Sequence, residues 1–323
     1  MIEFSLKSIQ DLAADSMNTL VPFSPSIWTE ERAQTRRHTP MVFANTPWDS
    51  GDALWIEVPE YAWASVPGDE HNDSPFFYGR EFGLKKMFTL RYRSQEIPQW
   101  KKRPGGGVEL DNPLDGGYIV RFKVIPRDRM IEVRFGLTNN SQKPLNELRC
   151  QLCLMSHKIK SLAERWPTSS KMLAGGEVIS WDGTGQDISW LDGYHDKQTG
   201  QFSQSCFFLA SLEGYRARAY IEPHLPHGDL LWLDTTLDVP AIAKQDTAKA
   251  NRYLVVYSPF GRNTFYNVLF PCFHADPYMN RVDPGETRWT ISYLVLFEGD
   301  IERFLVALKD LHQGLKREDG VLE

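Results

Sequence analysis

The chain has 323 residues, 36 basic and 42 acidic side chains for a net charge of −6, and 41% apolar residues, the balance of an ordinary water-soluble globular protein. No long basic run supplies the footprint of a nucleic-acid binder, and no stretch approaches the roughly 18 apolar residues of a membrane-crossing helix. The opening Met1–Lys7 lacks the layout of a secretory leader, so the expectation is a cytoplasmic protein with neither nucleic acid nor membrane as partner.

Residues 1–85 read as an irregular N-terminal extension rich in Pro and Trp, looped over a sheet, with a short helix over Ser8–Asn18. Within them, Pro75-Phe76-Phe77-Tyr78-Gly79-Arg80 sets a guanidinium beside aromatic rings. Such a group can grip a sugar or uronate carboxylate by stacking and paired hydrogen bonds; a structural ion pair with Glu81 is the plainer alternative.

From residue 86 to 299 the pattern is of strands and turns. Met87–Arg93, Tyr118–Val124 and Met130–Leu137 alternate apolar and polar residues, and Ser205–Leu212, Arg216–Ile221, Leu230–Asp234, Tyr253–Tyr257 and Arg288–Phe297 are further strands. Glycine-rich turns separate them: Arg103–Gly107, Asp115–Gly117, Gly175–Gly176 and Pro284–Gly285. Many strands with few interior helices predict a mainly β, antiparallel sandwich as one structural domain. Residues 300–323 close it with a helix, capped by Asp300 and stopped at Gly314.

Cys150 and Cys153 form a C-x-x-C, but the segment reads as a strand, where residues three apart point to opposite faces. That argues against a zinc site or a disulfide, and all four cysteines are expected to be buried free thiols. Glu222-Pro223-His224-Leu225-Pro226-His227 places two histidines in a proline-bounded loop that could face a sugar or, less favoured, hold a metal. No cofactor is otherwise expected. Trp190, in Trp190-Leu191-Asp192-Gly193-Tyr194, offers an aromatic platform or a loop anchor.

Cys272-Phe273-His274-Ala275-Asp276-Pro277-Tyr278-Met279-Asn280-Arg281 is the richest segment. It reads as a loop in which His274 and Asp276, two residues apart, project to one side into a cleft. An imidazole oriented by a carboxylate suits a general base; a hydrogen bond that merely locks the loop is the competing reading. Tyr278 and Arg281 would contact the substrate.

Two motifs resemble those of the galactose mutarotase-like, or aldose 1-epimerase-like, superfamily. Ile131–Leu145 matches that family's strand ending in an N-x-S-x-K-P turn, here Asn139-Asn140-Ser141-Gln142-Lys143-Pro144. Cys272, Pro277, Asn280 and Pro284-Gly285-Glu286 follow the order of its final segment. The resemblance implies a large antiparallel β-supersandwich and a carbohydrate ligand. It puts the family's catalytic acid near His157, which stands a few residues late, and its glutamate base at His274, a change of residue type. Epimerisation or β-elimination with a histidine base, completed by His157 or His224, is therefore the expected chemistry; a non-catalytic sugar-binding protein of the same fold is the alternative.

Overall fold

The computed structural model describes residues 18–20, 27–28, 41–48, 53–65, 76–79, 100–181, 189–199, 201–202, 206–212, 229–268 and 272–315. Its strands form a mainly β sandwich of two layers joined into one sheet system. In the back sheet, Lys101–Lys102, Val108–Leu114, Tyr118–Arg127, Met130–Asn139, Thr287–Gly299, Arg252–Tyr257 and Ala241–Gln245 pair in that spatial order, all antiparallel. The front sheet runs from Met41–Asn45 through Ala53–Ser65, Leu145–Met155, the successive strands Cys272–Ala275 and Tyr278–Val282, and Asn263–Asn267 to Cys206–Leu212. The strand Ser170–Ala174 pairs with Ala241–Gln245 in one layer and with Asp229–Leu237 in the other, which is where the layers meet.

Period-2 alternation accounts for the core between the layers. Ile56, Leu154, Phe273, Tyr266 and Phe208 form one continuous row across five front strands, all buried. Ile242, Val256, Leu294 and Ile131 face them from the back sheet. Each such side chain contributes about 1.5–3 kcal/mol on leaving water, so registers that keep these rows inward are strongly specified.

Several expectations meet the structure differently. Residues 1–85 were expected to wrap the sheet, yet Met41–Asn45 and Ala53–Ser65 are strands of it. Pro59 hides the longer one: it lies where the register with Leu145–Met155 shifts between Cys153/Glu57 and Gln151/Tyr61, a bulge that tolerates a missing N–H. The sheet is also not wholly antiparallel, since Cys206–Leu212 pairs in parallel with Asp229–Leu237. The segment expected as a loop, 272–280, is two strands. Proline at 277 interrupts the ladder without disturbing its register, as Leu154↔Phe273 and Arg149↔Tyr278 keep one alignment.

The strand predictions on Tyr118–Val124, Met130–Leu137, Tyr253–Tyr257 and Arg288–Phe297 fall inside observed strands. The terminal helix spans Ile301–Gly314, with the Asp300 carboxylate accepting from the Glu302 and Arg303 amides. The expected helix Ser8–Asn18 and strands Met87–Arg93 and Arg216–Ile221 lie outside the described residues, apart from Asn18 itself.

Candidate functional site

The front sheet has a second face, turned away from the core, that mixes aromatic with titratable side chains. Glu57 pairs with Cys153 across one strand boundary, and Phe265 pairs with His274 across another. The unbroken register between Leu145–Met155 and Cys272–Ala275 sets Cys153 opposite His274. One row therefore reads Glu57, Cys153, His274, Phe265 over four strands, with Glu57 and His274 two strand spacings, about 10 Å, apart. The thiol, the smallest of the four side chains, stands between the two titratable groups. Glu57 and His274 are fully buried, and Cys153 and Phe265 nearly so.

His274 is held on two sides. Its Nδ1 lies 2.5 Å from Oδ1 of Asp276, and its ring stacks on Phe265 at 4.4 Å between centroids and 16° between planes. The other oxygen of Asp276, Oδ2, accepts from Nδ2 of Asn263 at 2.6 Å. Asn263 thus orients the carboxylate that orients the imidazole. With Asp276 ionised, Nδ1–H donates, and Nε2 is left as the accepting nitrogen. Nε2 is buried and has no hydrogen-bond partner among the described residues. A fixed imidazole with one nitrogen engaged and the other presenting a lone pair can take a proton from a bound molecule.

The expectation that this pair opens into a cleft is corrected in one respect: His274 is 0% exposed and Asp276 2%. On this strand the imidazole is covered by the stacked Phe265 ring and engaged by Asp276, whereas the anticipated loop would have left it at the surface.

No protein-family model and no curated protein matches the chain. Among solved structures, it is similar to the Slr1438 protein of Synechocystis sp. PCC 6803, at 10% identity and a TM-score of 0.40, over 86% of this chain and 98% of that one. It is also similar to the GH36 α-galactosidase AgaA of Geobacillus stearothermophilus in complex with raffinose, at 11% identity and a TM-score of 0.37; 89% of this chain covers 37% of that one. A TPR-domain protein of Parabacteroides distasonis follows at 9% identity and a TM-score of 0.36, over 80% of this chain and 47% of that one.

The other candidate residues are dispersed. Tyr278 continues the face of His274 and Asp276, opposite Arg149. His157 follows the strand Leu145–Met155, its ring 4.8 Å from that of Trp55 in an edge-on contact, at the far end of the same face. Arg281 pairs with Asp283 at 2.7 Å and is half exposed, away from the dyad. Trp190 lies in the 3-10 turn Ser189–Gly193. Arg80, His224 and His227 lie outside the described residues. Among the described residues, no group of three or more His, Cys, Asp or Glu is placed to hold a metal ion, and no helix is long and apolar enough to cross a membrane. Cys150, Cys153 and Cys272 are buried and not joined in a disulfide; Cys150 faces the core and Cys153 the opposite side, as strand geometry requires.

Glu57 and Asn263 were not singled out from the sequence, and Cys153 was noted only as half of a C-x-x-C. For Glu57 a signal existed, a lone carboxylate inside the apolar run Ala53-Leu54-Trp55-Ile56-Glu57-Val58. Burying a carboxylate is costly unless it is satisfied or used.

Proposed function

We propose that the outer face of the front sheet binds a sugar or uronate and that His274 acts there as a general base, oriented by Asp276, in epimerisation or β-elimination. Both reactions begin by removing a proton from carbon, the step a positioned imidazole serves. The observation that carries this reading is the buried Nε2 of His274, without a partner among the described residues while Nδ1 is fixed on Asp276. Buried polar atoms are nearly always hydrogen-bonded, and exceptions call for a reason such as a role in binding or catalysis. The sequence resemblance to the aldose 1-epimerase-like superfamily, whose base aligns with His274, supports the same choice of ligand. His157 is the complementary acid of this scheme among the described histidines.

The test is turnover against a panel of sugars and uronate polymers, comparing the native protein with His274→Gln. Loss of the general base lowers the rate by about 10²–10⁴-fold, with circular dichroism verifying that the variant is folded. Unchanged turnover removes His274 from the mechanism.

The complete burial of His274 favours a second reading, in which the dyad secures the sheet and the protein binds sugar without transforming it. Saturable binding with no turnover of any panel member would establish that reading over the first.

A further inference from the structure

The Nδ1 of His274 is held by Asp276, and Asp276 is held in turn from the neighbouring strand. Asp276 precedes Pro277, which keeps its backbone extended, but the torsion that turns its carboxylate is intrinsically broad. Asn263 restrains both parts of the residue. Its carbonyl accepts from the Asp276 amide at 3.1 Å, and its Nδ2 donates to Asp276 Oδ2 at 2.6 Å. The pair continues the register of Thr264↔Ala275 and Phe265↔His274. One strand therefore supplies both the ring stacked on His274 and the amide that turns Asp276.

The turn leading into Asn263 braces the same segment. Ser258 Oγ donates to the carbonyl of Ala275, the residue between His274 and Asp276, at 2.6 Å and lies 2.5 Å from Ser292 Oγ. The Gly261 amide closes the turn on the Ser258 carbonyl at 2.7 Å. A Cβ on Gly261 would come within 3.0 Å of the Asp276 carbonyl oxygen and 2.9 Å of Ser258, so glycine is what lets the turn lie against Asp276. The ladder and the turn fix the backbone of the dyad. The Asn263 side chain adds a bond directed at the carboxylate itself.

We propose that Asn263 is a positioning residue for His274: by fixing the Asp276 carboxylate it holds the imidazole as the Nδ1–H tautomer and keeps Nε2 as the basic nitrogen. This rests on the reading of His274 as a general base and adds how its tautomer is set. With Oδ2 engaged by Asn263, Oδ1 is the oxygen that meets Nδ1–H, and an imidazole donating from Nδ1 carries its lone pair on Nε2. Without the Asn263 amide the carboxylate turns freely, the bond to Nδ1 is no longer enforced, and the Nε2–H tautomer competes. That form presents a donor where proton abstraction needs an acceptor. Acting through Asp276, Asn263 bears on the chemical step and not on binding.

Two readouts on the full chain test this. The first is the nitrogen NMR spectrum of isotope-labelled histidine rings, with His274 assigned by its absence in His274→Gln; it separates the tautomers without any substrate. Native His274, with its ring neutral, should show a protonated Nδ1 and a bare Nε2. Asn263→Asp, which keeps the size but replaces the donor by an acceptor, and Asn263→Ala should each bring in the Nε2–H form. The second readout is turnover of the sugar panel, in which kcat should fall about 10–100-fold at unchanged KM, the range of one lost hydrogen bond to a charged group. Should Asn263→Asp not fold by circular dichroism, Asn263→Ala carries both readouts. Variants that leave the tautomer unchanged overturn the positioning role, and so does native kcat in them while His274→Gln is inactive, a result that spares the general base. A tautomer that shifts in the Asn263 variants, with no His274-dependent turnover of any panel member, upholds the positioning and ends the base. A native ring in the Nε2–H form overturns both.

Discussion

The two outer faces of this sandwich are built from different side chains. On the back sheet, Tyr253, Val255, Tyr293, Val295 and Phe297 point away from the core and are sealed by Phe304, Leu305 and Leu308 of the terminal helix. Where that apolar patch ends, Glu132 is fully buried but bracketed by Arg127 and Arg134, so its charge is met on both sides. On the front sheet the outward row is Glu57, Cys153, His274 and Phe265, just as buried, with a histidine nitrogen that lacks a partner among the described residues. Tyr293 Oη on the back face likewise has no hydrogen-bond partner among the described residues, so what sets the front row apart is that its unpartnered atom is an imidazole nitrogen fixed beside a carboxylate.

If the back face is purely structural, damage to its seal should be large in stability and silent in function. Phe304 is buried and stacks on Phe297 at 4.4 Å. Phe304→Ala leaves a cavity in a well-packed layer, and such truncations cost about 3–5 kcal/mol. Urea denaturation followed by tryptophan fluorescence measures the change, and sugar binding by the folded fraction should be unaltered. A loss below about 1 kcal/mol, or a loss of binding in protein that remains folded, would erase the distinction between the faces.

Between the layers sits a third case, a buried cation. Lys244 is fully buried, and its Nζ donates to Ser169 Oγ at 2.5 Å, to Tyr266 Oη at 2.6 Å and to the Glu164 carbonyl. Burial without an adjacent carboxylate pushes its pKa down to about 7, Glu164 opposing this only in part. The unfolded chain, with an ordinary lysine, holds its proton until about pH 10.4. Between these values the unfolded state binds more protons, so stability rises with pH through the window and is flat in this respect below pH 7. From pH 7.5 to 9.5 the rise from this group is roughly 2–3 kcal/mol, at up to about 1.4 kcal/mol per pH unit. Chemical denaturation of the native protein and of Lys244→Met at several pH values isolates it: the variant should lose the slope. An identical slope in both would show that the core holds Lys244 charged throughout, and polar burial would then cease to distinguish the front face.

Much of this arrangement was legible along the chain, and the rest was hidden for identifiable reasons. Tyr118–Arg127 and Met130–Asn139 reveal themselves because one side is apolar and the other carries charges, giving clean alternation. Cys272–Ala275 does not, since Cys272, Phe273, His274 and Ala275 are all buried, and a strand covered on both faces shows no alternation. The His274–Asp276 contact could be read from a spacing of two residues. Its neighbours could not: Glu57 and Cys153 reach the row only through strand pairing, and Asn263 comes from the adjacent strand to hold Asp276. Register across strands far apart in sequence is a property of the whole sheet, and local pattern does not encode it. The parallel pairing of Cys206–Leu212 with Asp229–Leu237 escaped for the same reason.

The smallest test concerns how the back-face seal is fastened. Asp300 accepts from the Glu302 and Arg303 amides at 3.0 and 3.2 Å, satisfying two donors that the first helical turn leaves open. Asp300→Ala removes both bonds and should cost about 1 kcal/mol. Because the cap lies at the edge of the seal, the loss should appear as faster hydrogen exchange of the amides in Ile301–Gly314 before any change in the sheets. The helix packs its buried side chains on the outward residues of the back sheet, so binding at the front face should be indifferent to the substitution. Exchange that quickens instead in Cys272–Ala275 would mean that the two faces are energetically coupled through the core, and that the polar row depends on the apolar seal opposite it.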